Sequence, residues 1–164
     1  AWVEKGGFDY REDASAVAVM PALAPAVLET PASAGPLDLT RRIVATSGAA
    51  GEDSAGYVRI RNGSPVADEL LEASCACADT IEFHRVVRTE TGGSMIDDPT
   101  WTAPGNGVLD VRPGTSLHFM LINFDPAKAV DGRVALTLTF RDAGTVEADF
   151  ALTPDSRAKW ATFD

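Results

Sequence analysis

The sequence predicts an all-β domain, an antiparallel sandwich or barrel, on three observations. Segments rich in β-branched and aromatic residues recur at short intervals between residues 37 and 152. Turn clusters such as "TGG", "APGNG", "RPG", "VDG" and "DAG" separate them. No stretch of 11 residues keeps a helical period.

The elements follow in order. "LDLTRRIVATS" is the first strand, and "AGYVRIRN" follows, ending at the turn signal "NGSP". "DELLEAS", "TIEFHRVVRTE", "GVLDV", "TSLHFMLIN", "GRVALTLTF" and "TVEADFAL" continue the series. Residues 1–36 read differently: "EDASAVAVMPALAPAVLETPASAGP" is rich in Ala, Pro and Ser, as an extended arm or linker is. Its aromatics, Trp2, Phe8 and Tyr10, can dock on the body. Residues 37–152 form the β domain, and residues 153–164, with Trp160 and Phe163, form a short tail that packs.

The chain's 164 residues suit one domain. A chain of that size buries roughly 68–70% of its unfolded surface, enough to fold without cross-links. Its formal charge of −10 disfavours nucleic acid and anionic membranes, and attracts cations or a basic partner. No run of about 18 apolar residues is present, so no membrane-inserted helix is expected. The start, "AWVEKGGFDY", lacks the charged and apolar regions of a secretory leader. A processed exported protein reads this way, and so does a cytosolic one.

Two strands carry the scarce residues. The chain has 2 His and 3 Met. In "TSLHFMLIN", alternation puts Leu117, Phe119 and Leu121 on one face and His118 and Met120 on the other. In "TIEFHRVV", Ile81, Phe83 and Val87 make the core side, interrupted by Arg85, and His84 belongs to the outer, wetter side. Ten residues separate His84 from Met95, which follows the flexible "TGG"; twenty-two separate Met95 from His118, and one separates His118 from Met120.

Two imidazoles and two thioethers form a borderline-to-soft donor set. Thioether sulfur selects Cu(I), imidazole suits copper in either oxidation state, and zinc prefers Cys, His and carboxylates. A site with two Met and no carboxylate therefore points to Cu(I). The spacing alone leaves a second reading open, of a surface His pair and gap-filling methionines.

This pattern resembles the periplasmic copper chaperones of the PCuAC family, also called DUF461. Their motif is a His, about ten residues, a Met, about twenty-one residues, then His-x-Met. The resemblance covers roughly residues 37–152 and includes "AGYVRIRN", "IEFH", "RPGTSLHFMLINF" and "VALTLTFRDAGTVEADF". It implies an antiparallel Greek-key β-sandwich of cupredoxin-like fold and a periplasmic location. It also implies a surface Cu(I) site whose ligands here would be His84, Met95, His118 and Met120. The partner it implies is a copper-accepting protein, either the copper subunit of cytochrome c oxidase or a Sco-type thiol protein. The second gap is one residue longer than the usual motif, which a loop absorbs. Only Met95 stands near the first His, where many members carry further methionines.

Other candidates have competing readings. Cys75 and Cys77 form a Cys-x-Cys that suits ordinary thiols, a local disulfide or a secondary Cu(I) contact. Met20 is a soft contact or packing from the arm. Asp97 and Asp98 attract a cation or simply line a polar loop, and Trp101 shields the metal or covers the core edge. "NGS" at Asn62 matches a glycosylation sequon, but Asn-Gly makes a turn the better explanation. No G-x-S-x-G, P-loop or H-E-x-x-H motif is present, and a non-enzymatic binding role is expected. A β-sandwich without a working metal site is the alternative. A blue-copper carrier fits less well, because both Cys precede both His.

Overall fold

The structure, a computed structural model, describes residues 31–163. Trp2, Phe8, Tyr10 and Met20 lie outside the described residues. Eleven strands form one continuous hydrogen-bonded sheet. They are β1 (Ser33–Ala34), β2 (Leu37–Ala45), β3 (Glu52–Asn62), β4 (Asp68–Ser74), β5 (Thr80–Thr89) and β6 (Gly92–Asp97). Then come β7 (Trp101–Ala103), β8 (Val108–Val111), β9 (Leu117–Phe124), β10 (Arg133–Phe140) and β11 (Gly144–Thr153). The main path runs β6-β5-β9-β3-β2-β11-β10-β4-β7, with β1 on β2 and β8 on β3.

The sheet folds over so that the two ends of this path face each other. Trp101 of β7 stacks on Phe83 of β5 at 4.7 Å between ring centroids and lies 5.2 Å from Phe119 of β9. The fold is therefore an all-β sandwich, as the strand pattern predicts. Among the described residues all strand pairings are antiparallel except one: β11 runs parallel to β2 through Ala151–Thr153 and Ile43–Ala45. Parallel neighbours need a long connection, and these two lie at opposite ends of the described chain.

Alternation builds the core. Val134, Leu136, Leu138 and Phe140 point inward from β10, and Phe119, Leu121 and Phe124 do so from β9. Phe119 is fully buried among Phe83, Trp101 and Phe150. Gly56 of β3 stands opposite it, and a Cβ there would lie 3.3 Å from Phe119 Cβ and 3.2 Å from Leu121 Cδ1. The glycine thus lets β9 seat its core stripe tightly. Phe119→Ala is expected to cost about 3–5 kcal/mol, readable as a lower urea midpoint with an unchanged slope.

Polar side chains fix the connections. The Asn62 amide is buried; it donates to the carbonyls of Val66 and Ala103 and accepts from Ser64 N–H. The Asn-Gly therefore serves a turn, and this amide is engaged and inaccessible to glycosylation. Asp68 accepts from the amides of Asp142 and Ala143 and so clamps the β10–β11 turn onto β4.

Three segments escape the strand pattern. β1 and β7 are two and three residues long, and β6 falls where the sequence suggests a loop. A helix, α1 (Ser156–Ala161), is capped by the Asp155 carboxylate on Ala158 N–H. It buries Trp160, which carries the guanidinium groups of Arg41 and Arg59 near its ring. Cys75 and Cys77 form a disulfide with each other, in place of ordinary thiols.

Candidate metal centre

The site is built by register. β5 pairs with β9 so that His84 lies directly opposite His118, and β6 pairs with β5 so that Asp97 lies directly opposite His84. Asp97, His84 and His118 therefore form one row across three strands. The two methionines sit diagonally on either side of that row. Met95 is opposite Val86, and Met120 is opposite Glu82. Diagonal neighbours on a sheet stand roughly 7–8 Å apart at Cα, within reach of long side chains.

The contacts follow from this register. Met95 Sδ is 2.8 Å from His84 Nδ1. His84 Nε2 is 2.8 Å from Glu82 Oε1 and 3.0 Å from Asp97 Oδ1. The two imidazole rings meet edge to face at 5.4 Å between centroids. All four residues expected as ligands thus share one face, and Glu82 and Asp97 join them.

The carboxylates decide the tautomer. Ionised carboxylates only accept hydrogen bonds, so the neutral His84 ring carries its proton on Nε2. Nδ1 then turns a lone pair toward Met95 Sδ, and a thioether is also only an acceptor. In this neutral tautomer two lone-pair donors converge with no proton between them, an arrangement that suits a cation. A histidine that donates its other N–H to a carboxylate is the usual support for a metal-binding imidazole. The donor chemistry therefore fits a soft or borderline ion, held on Nδ1 and thioether sulfur.

The rings are less wet than alternation suggests. His84 and His118 are each 9% exposed, whereas Met95 is 51% exposed. Met95 and Asp97 of β6 and Glu82 of β5 lie against the His84 ring, and the two imidazoles lie against each other. Burial pushes the His118 pKa below its ordinary 6.5, and the neighbouring His84 imidazole, when it is protonated, pushes it the same way. The imidazole stays neutral, and available as a ligand, to lower pH. The sign for stability follows: the unfolded chain binds this proton first as pH falls below about 6.5. In the metal-free protein this group then contributes a loss of stability that grows until the lowered folded value is passed. NMR titration of the His118 ring should give a midpoint below that of a free histidine. A His118→Gln variant should lose stability less steeply below pH 6.5 than the parent chain.

Met95 belongs to strand β6 and not to a loop. A two-residue turn, Glu90-Thr91, joins β5 to β6, and Val86 pairs with Met95 across the hairpin. Every residue of β6 is exposed. Its far end is pinned by Asp98, which takes the Arg85 guanidinium at 2.7 Å and Trp101 Nε1–H at 3.0 Å. Arg85 Nε–H is the main influence holding the Asp98 carboxyl below the usual carboxylate range. Asp98 is thus a structural anchor. Trp101, buried on the opposite face with Phe83 and Phe119, covers the core and not the donor set.

Fold and site together define a small all-β domain of cupredoxin-like fold that presents an imidazole–thioether cluster on the outer face of its sandwich. Residues 31–152 match the family model described as "LpqE-like: Putative lipoprotein LpqE-like". The chain belongs to the LpqE-like family. Solved structures share the fold. The copper-bound PCuAC domain from PmoF2 superposes with a TM-score of 0.62 at 18% identity, covering 77% of this chain and 99% of that one. The apo PCuAC domain from PmoF1 gives 0.60 at 17% identity, over 77% and 100% of the two chains. The solution structure of CuI-DR1885 from Deinococcus radiodurans gives 0.52 at 21% identity, over 82% and 86%. No curated protein sequence matches the chain.

Proposed function

We propose that the protein binds one Cu(I) ion through His84, Met95, His118 and Met120 and passes it to a partner by ligand exchange. The observation that carries this reading is the convergence of Met95 Sδ on His84 Nδ1, with His84 Nε2 tied to Glu82 and Asp97. Thioether and imidazole together select Cu(I) over harder ions. The fold is shared with a copper-bound PCuAC domain and with a Cu(I)-bound protein, which supports the same cargo.

The donors differ in how firmly they are held. His118 and Met120 flank Phe119, and Phe119 and Leu121 are fully buried, so the core fixes β9. Met95 stands on an exposed edge hairpin with little buried surface, the kind of element that opens at low free energy. An incoming sulfur or imidazole would displace Met95 first, then take the ion from the remaining donors. This is a binding and transfer role without bond-making catalysis.

The lipoprotein description of the family supports a place outside the cytoplasm, periplasmic in a two-membrane cell. Among the described residues no helix is long and apolar enough to cross a membrane. The acceptor we propose is a copper-site protein such as the copper subunit of cytochrome c oxidase, or a Sco-type thiol protein. A blue-copper role is disfavoured, because both sulfurs of Cys75 and Cys77 are bonded to each other. Anaerobic Cu(I) titration against a competing chelator tests the proposal: one ion per chain is expected, and no binding beyond a non-metal β-sandwich control would refute it.

A further inference from the structure

We infer that the Cys75–Cys77 disulfide is a redox-active pair that accepts two electrons from a thiol reductant. It lies in the connection between β4 and β5. His84 stands four residues into β5, about 13 Å along the strand from Thr80 at 3.3 Å per residue. The pair is thus separate from the proposed copper ligands, and the inference does not rest on the copper reading.

A structural role explains this disulfide poorly. A cross-link stabilises mainly by closing a loop in the unfolded chain, and its effect grows with loop length. A sequence separation of 2 closes the shortest useful loop. The connection is also already fixed by backbone hydrogen bonds. Ala78 N–H donates to Cys75 C=O, Asp79 N–H to Ile122 C=O, and Asp125 N–H to Cys77 C=O.

The two sulfurs are unlike each other. Cys77 is 2% exposed, whereas Cys75 is only partly buried; both line one surface cleft, and Cys77 also lines a second. Cys77 N–H donates to Cys75 Sγ at 3.0 Å, a contact that strengthens when that sulfur carries negative charge. Lys128 lines both clefts, together with Glu147 in the first and with Asp79 and Asp125 in the second. A partly exposed sulfur that accepts an amide N–H, in a cleft that a lysine also lines, is the environment of a reactive cysteine.

The exchange balances as follows. A reductant thiolate attacks Cys75 Sγ, the Cys75–Cys77 bond breaks, and Cys77 leaves with the electron pair and takes a proton. A second reductant thiolate attacks the reductant sulfur of the mixed disulfide. The reductant departs as its own disulfide, and Cys75 is released as a thiolate facing Cys77 N–H. Two electrons and, after protonation, two protons have moved to the pair. The partner class is a dithiol, or two equivalents of a monothiol such as glutathione.

The test places the full native chain in mixtures of reduced and oxidised glutathione and reads the pair by alkylation and mass, with circular dichroism recorded alongside. The pair should pass from oxidised to reduced within that series while the β spectrum is unchanged. A Cys75→Ser/Cys77→Ser variant should melt within a few degrees of the parent. In the reduced chain, Lys128→Gln should slow Cys75 alkylation by about threefold or more. The inference is overturned if the pair stays oxidised in every mixture until the chain unfolds. A double variant that loses its cooperative transition would mark a structural staple and overturn it too. An alkylation rate indifferent to Lys128 would contradict Cys75 as the activated sulfur.

Discussion

A His118→Ala/Met120→Ala double variant is expected to lose Cu(I) affinity by well over 100-fold in anaerobic chelator competition. The bound comes from supporting residues: removing a single hydrogen-bond partner of a metal ligand costs about 10–100-fold, and here two donors go at once. His84 and Met95 would remain as an incomplete pair. Both substitutions fall on the outer face of β9, and Phe119 and Leu121 keep the strand in the core. The β spectrum should therefore survive, and loss of copper can be read as loss of ligands. Equal binding by the parent and the double variant would remove these residues from the site.

Glu82→Gln combined with Asp97→Asn is expected to lower Cu(I) affinity by about 10–100-fold, although neither residue is a proposed ligand. The amides keep the shape of the carboxylates and can donate as well as accept. His84 Nε2 then loses its obligatory acceptors, at 2.8 and 3.0 Å. The ring becomes free to carry its proton on Nδ1, where N–H would point at Met95 Sδ and block the donor pair. A simple loss of attraction for a cation is distinguishable, because exposed charge effects fade with added salt. A defect that persists at high salt supports tautomer control. A defect that vanishes there assigns the carboxylates to steering alone.

The sequence carried much of this in its alternation and little in its register. Leu117, Phe119 and Leu121 read as a core stripe because strand periodicity is strict, and the opposite face was then forced on His118 and Met120. His84 on the outer face of its own strand followed in the same way. What alternation cannot tell is which residues lie across the neighbouring strands. That Asp97 faces His84, and Glu82 faces Met120, depends on pairing across β6, β5 and β9. For this reason the carboxylates escaped the donor set. One signal was present: Glu82 and His84 are two apart on one strand and so share its face.

Met95 shows a different limit. "TGGSM" has the composition of a loop, and its glycines conceal an edge strand whose neighbour in the sheet is β5. The same weakness for strands of two or three residues hid β1 and β7. The burial of His84 was also invisible, since Met95 and Asp97 reach it from the neighbouring strand β6. The parallel pairing of β11 with β2 reflects the closing of the sandwich and has no local sequence signature.

Copper K-edge X-ray absorption on the anaerobically loaded chain tests the central claim most directly. The account predicts a Cu(I) edge with both imidazole nitrogen and thioether sulfur in the first shell, and loss of the sulfur contribution in a Met95→Ala/Met120→Ala variant. A first shell of nitrogen and oxygen alone would contradict it.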